Sequence, residues 1–72
     1  MTEKQREAFR KRIKKLMIDF ELTNRGLAEQ IGWSESMLLH AVNGTKAIPF
    51  DMVIALSKRF NMTIDSLIAE EN

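Results

Sequence analysis

Apolar residues along this 72-residue chain recur at intervals of three and four, the spacing that lines one face of an α-helix. Phe9, Ile13, Leu16, Met17 and Phe20 form the first such stripe and predict a helix over 3–20. Leu27, Ala28 and Ile31 mark a second over 24–31, with Thr23 as its N-cap and Gly32 just past its end. Ser34 caps a third helix over 35–43, anchored inward by Leu38 and Ala41 and stopped at the Asn43-Gly44 turn pair. Residues 45–48 read as loop. Pro49 suits the opening of a fourth helix over 50–60, whose inward side carries Met52, Val53, Leu56 and Phe60. Asn61 interrupts the pattern, and Thr63 caps a fifth helix over 64–70 with Ile64, Leu67 and Ile68. Alternation of apolar and polar residues has little place in this pattern, so no strand is predicted. The expectation is one all-α domain over 1–72, made of a basic N-terminal helix (1–20), a central pair of short helices (23–44) and two C-terminal helices (49–70).

Composition narrows the function classes. The hydrophobic share of 44% is that of a folded chain. A domain of this size buries only about 60% of the surface of its unfolded chain, so its stability is expected to be modest without a partner. Cysteine is absent, which excludes disulfides and thiolate metal sites. No apolar run reaches the length of a membrane span or a signal-peptide core, and a soluble cytoplasmic protein is the expectation. The net charge of +1 hides an asymmetry. Residues 1–15 carry seven bases (Lys4, Arg6, Arg10, Lys11, Arg12, Lys14 and Lys15) against Glu3 and Glu7, while the remainder carries four bases against eight acids. Such a basic arm is either a polyanion-binding footprint or a solvated helix face.

The stretch from Thr23 to Gly44 carries the functional signal. Two short helices meet at the tight turn Ile31-Gly32-Trp33-Ser34. Ala28 is small enough for two helices to cross closely, and Gly32 can take the left-handed backbone that reverses the chain. Helices set at a steep angle by such a turn can place the second in the major groove of duplex DNA. Here the chain resembles the helix-turn-helix domains of phage repressor and Cro type (XRE-like). RIKKL at 12–16 is similar to that family's first helix. LTNRGLAEQIGWSESML at 22–38 is similar to its helix-turn-helix core, including Leu27-Ala28 and the turn glycine Gly32. The NG pair at 43–44 is similar to the end of the recognition helix, and AIPFDMVIALSKRFNMTIDSLI at 47–68 to the fourth and fifth helices.

The resemblance implies a five-helix, lambda-repressor-like fold. It implies a repressor-type transcription regulator that binds double-stranded DNA in a sequence-specific way, as a homodimer on a two-fold related site and without a cofactor. Carried over by position, Ser34 caps the recognition helix, Glu35, Ser36, Leu39 and His40 face base edges, Asn24 bonds a phosphate, and Asn43, Thr45 and Lys46 approach the backbone on the other side. The family commonly pairs an arginine late in the first helix with a glutamate late in the recognition helix. Met17 and Val42 stand at those positions here, and two apolar residues can replace a buried ion pair together. They are therefore expected to touch.

Other features depart from the family pattern. Glu35 is acidic, Leu39 is apolar, and Met37 adds a second apolar group. Only Arg25 stands against Glu29 and Glu35 between Thr23 and Gly44, a poor match to a polyanion. A glutamate can accept from a cytosine amino group and a leucine can pack on a thymine methyl, while an exposed Met-Leu pair can equally mark a protein interface. The alternative reading is a protein-interaction or antitoxin-like module using Met37 and Leu39. Gly26 inside the second helix costs roughly 1 kcal/mol against alanine. His40 is a surface residue or a base or phosphate contact. Trp33 is expected to cover the core edge, and Met17, Met52 and Met62 to fill the core. Ser34 and Ser36 have no base and acid arranged around them, and Asp19, Glu21, Glu29 and Asp65 lack metal-loop spacing. No enzyme activity, metal or small-molecule ligand is expected.

Overall fold

A computed structural model describes residues 1–70. Among them the chain forms five helices, α1 (Glu3–Asp19), α2 (Asn24–Ile31), α3 (Glu35–Asn43), α4 (Phe50–Phe60) and α5 (Ile64–Ile68), and no strand. None is long and apolar enough to cross a membrane.

The helix starts follow the side-chain signals. Thr2 caps α1 by accepting from the Gln5 N–H, and Gln5 Oε1 accepts from the Thr2 N–H, which completes a capping box. Thr23, Ser34 and Thr63 accept from the N–H three residues on, at Gly26, Met37 and Ser66. Pro49 stands before α4 with no side-chain cap.

The helix ends share one device. In α1, α2 and α4 the chain passes through a left-handed residue, Glu21, Gly32 or Asn61, and the next N–H reaches back across the last turn. Leu22 bonds the Met17 carbonyl, Trp33 that of Ala28, and Met62 that of Ser57. This is the Schellman arrangement. Glycine and asparagine tolerate that backbone; glutamate at φ 54° is the exception.

At α3 the pattern shifts by one bond. The Thr45 N–H makes the same five-residue reach, to the His40 carbonyl, but left-handed Gly44 donates to that oxygen too and not to Ala41. The Ala41 carbonyl is bonded from outside the helix, by Arg10 Nε of α1 at 2.9 Å. At α5 a second arginine of α1 plays the same part. Arg12 donates to the carbonyls of Ser66, Leu67 and Ala69, and Ala69 is extended. Helix 5 therefore stops at Ile68 rather than at residue 70. Helix 1 likewise ends at Asp19, one residue short of the expected boundary.

Phe9, Ile13, Leu27, Leu38, Met52, Leu56 and Leu67 are fully buried in one core shared by all five helices. Met17 and Val42, 8% and 4% exposed, lie in this same cluster. Met52 belongs to it, Met62 packs against it, and Trp33 lies half-buried at its edge, as expected. Phe20 departs from the expected inward stripe. It is half exposed and meets Phe60 edge-on at 5.5 Å, with the Arg59 guanidinium over both rings. The helix has already ended at Phe20, so the stripe no longer aims it at the core. Gly26 also finds a reason. A Cβ there would stand 3.0 Å from the Thr23 hydroxyl oxygen, the atom that caps α2.

Candidate nucleic-acid interface

Helix α3 buries Leu38, Ala41 and Val42. At 3.6 residues per turn the opposite side carries Ser36, His40 and Asn43, with Glu35 and Leu39 on one flank. Glu35, Ser36 and Asn43 are exposed, and Leu39 and His40 are half-buried. Thr45 and Lys46, just beyond Gly44, are exposed and continue this side. Asn24, half-buried, is the first residue of α2. The residues expected to meet bases thus share one side of α3, and three of the expected phosphate contacts stand at its far end.

Three features hold this helix in place. Ser34 caps its start, Gly44 turns the chain at its end, and Arg10 ties its last turn to α1. Glu35 occupies the first helical position. There its charge is favourable toward the positive end of the helix dipole, typically by 0.3–1 kcal/mol. That supplies a structural reason for an acid at this position.

His40 and Thr45 are joined directly. His40 Nδ1 and Thr45 Oγ1 are 2.6 Å apart. Thr45 was expected to approach the DNA backbone, yet its hydroxyl is engaged with the neighbouring histidine.

The two apolar residues of α3 do not form one patch. Met37 and Leu39 are two positions apart, about 200° around the helix. Met37 packs against the core, and Leu39 does not belong to that packing.

The bases divide in two. Arg10 and Arg12 bond carbonyls of α3 and α5, and Arg6 donates to the Met1 carbonyl at 2.8 Å. Lys4, Lys11, Lys14 and Lys15 are exposed on α1. The arginines of the basic arm thus serve the fold, and its lysines form the solvated face. Arg25 faces Glu29 at 3.5 Å on the surface of α2, where such a pair contributes little to stability.

A family model for helix-turn-helix domains matches residues 13–67. The chain belongs to the helix-turn-helix family of Cro and XRE type. The matched span includes α2 to α4 and all but the last residue of α5. No curated protein matches the chain. No solved structure matches it either. This helix-turn-helix domain is of the DNA-binding, transcription-regulator kind, a regulatory family rather than an enzymatic one.

Arg10 is the residue that sequence reasoning missed. Its signal was weak: a base next to buried Phe9, on the border of the apolar stripe rather than opposite it. Spacing marks such a border residue but cannot say which helix end lies above it.

Proposed function

We propose that this domain is a sequence-specific repressor-type regulator that lays α3 into the major groove of duplex DNA. The observation that carries this reading is the polar side of α3. Ser36, His40 and Asn43 form a continuous hydrogen-bonding surface on a helix whose other side is locked into the core. Glu35 and Leu39 flank it as the remaining base contacts. Asn24, Asn43 and Lys46 bond phosphates, which position the helix without reading sequence.

A nine-residue recognition helix spans only a few base pairs. A second copy on a two-fold related half-site supplies the remaining specificity, so the domain works as a weak homodimer. The partner copy docks on the α4–α5 side, where Phe50, 64% exposed, borders an apolar groove of about 330 Å3 lined also by Ile48, Val53, Ile64 and Ile68.

The interaction-module reading is less well supported. Met37 packs against the core on the other side of α3 from Leu39, so the two do not make one apolar surface.

An electrophoretic shift titration with random duplex at low and moderate salt tests the proposal. Salt-sensitive binding is expected. A folded protein with no duplex binding at low salt would overturn it.

A further inference from the structure

We infer that Thr45 is a positioning residue for His40. It holds the ring so that Nε2 carries a hydrogen and donates to an acceptor on the duplex. This deepens the proposal above and rests on it.

The argument starts from hydrogen-bond capacity. A carbonyl oxygen has two lone pairs. That of His40 receives the N–H groups of Gly44 at 3.0 Å and Thr45 at 3.1 Å. The Thr45 hydroxyl reaches the same oxygen only at 3.4 Å, but lies 2.6 Å from His40 Nδ1. In the neutral ring the hydroxyl hydrogen therefore goes to Nδ1, which must be the bare nitrogen, and Nε2 bears the ring hydrogen. In the charged ring both nitrogens bear hydrogen, Nδ1 donates to the Thr45 oxygen, and Nε2 is again a donor. Only the neutral Nδ1–H form would make Nε2 an acceptor; it keeps the short contact with Nδ1 donating, but sends the hydroxyl hydrogen 3.4 Å to a carbonyl oxygen that already receives two N–H groups. No described residue bonds Nε2.

A fixed donor at this place selects its ligand chemically. In the major groove the acceptors are purine N7, guanine O6 and thymine O4, whereas the amino groups of cytosine and adenine only donate. A phosphate oxygen is the other acceptor that a duplex offers. The shared chemistry is an acceptor oxygen or nitrogen facing Nε2. Thr45 then affects recognition through the histidine and not by meeting phosphate itself.

The test has two arms. In the free protein, long-range proton–nitrogen NMR correlations of His40, the only histidine, report which nitrogen bears hydrogen. The Nε2–H pattern is expected, weakened towards a tautomer mixture in Thr45→Val and restored in Thr45→Ser. A dominant Nδ1–H pattern in the wild type, or no response to Thr45→Val, would overturn the positioning role.

The second arm uses the preferred duplex selected from a random pool. Thr45→Val is expected to weaken binding about two- to tenfold, the range of one hydrogen bond. It should do nothing further in a His40→Ala background. Equal losses in both backgrounds would overturn the inference. Probes of this duplex that each remove one acceptor at a single position (7-deazapurine for N7, 2-aminopurine for guanine O6, 5-methyl-2-pyrimidinone for thymine O4, methylphosphonate for phosphate) locate the acceptor. One such probe is expected to abolish the effect of His40→Ala, and retention of that effect with every probe would overturn the assigned acceptor. Absence of all duplex binding would reject the DNA reading while the NMR arm still decides the role of Thr45.

Discussion

Arg10 Nε donates to the Ala41 carbonyl at 2.9 Å, joining the first helix to the last turn of the third. The guanidinium also packs near Gly44, where a Cβ would stand 3.4 Å from Arg10 Cζ. One arginine thus satisfies a carbonyl and places positive charge at the negative end of the helix dipole. Met17 and Val42 are buried in the same core. In this chain a charge-assisted tie from α1 to α3 runs through Arg10 and the α3 backbone.

Arg10→Met keeps much of the stem packing and removes the cap. We expect a loss of about 1–2 kcal/mol, from a charge-assisted bond to a half-buried carbonyl. For a domain of this size 1 kcal/mol shifts Tm by roughly 4–8 °C. Thermal melting followed by circular dichroism checks this, and an unchanged Tm would remove the cap from the account of α3.

Val42→Glu places a carboxylate in the core with no cation at Met17. The expected loss is about 3–5 kcal/mol, the range for an uncompensated buried charge. Met17→Arg combined with Val42→Glu should recover part of it. Denaturant unfolding of the single and double variants measures the coupling. Simple additivity would mean that the two positions do not meet.

Glu21 holds a left-handed backbone at φ 54°. Left-handed conformations cost a side chain roughly 1–2 kcal/mol, less for asparagine. Glu21→Asn should therefore stabilise the domain by about 0.5 kcal/mol and raise Tm by a few degrees. A lower Tm would show that Glu21 contributes something beyond its backbone.

Glu35→Gln separates two roles of one residue. Removing a negative charge from a phosphate-lined groove should strengthen binding to every duplex. Losing the favourable charge at the start of α3 should lower stability by up to about 1 kcal/mol. A selective loss of roughly 1–3 kcal/mol at one base pair would instead assign Glu35 to a cytosine amino group. As a companion measurement, Lys46→Ala should weaken all duplexes alike and lower the salt slope by about one unit.

The helices were legible in the sequence where their ends carry residues with one strong conformational preference. Gly32, Gly44 and Asn61 mark left-handed turns, and Thr23, Ser34 and Pro49 mark starts, so α2, α3 and α4 fall where expected. Glu21 performs the same turn without a residue type that announces it. The end of α5 was misplaced because its carbonyls are taken by Arg12, a partner far away in sequence. Periodicity likewise grouped Arg10 and Arg12 with the lysines as one basic arm. Which bases bond the fold and which face solvent depends on the helices packed beside them. At the candidate site the side of α3 was legible from spacing. The bond between His40 and Thr45 was not, because it depends on how the chain turns after Gly44.

The reach of Arg12 bears on the order in which the fold assembles. It joins carbonyls 54 to 57 residues further along the chain. Helix α5 has only five residues, far fewer than the 12–15 that an isolated helix needs to be even marginal in water. It therefore depends on packing against α1 and α4. Its docking on α1 closes a loop of about three quarters of the chain, which gives an all-helical domain some of the non-local character that slows folding. In amide exchange the α5 segment should be the first to open, while the helix-turn-helix stays closed.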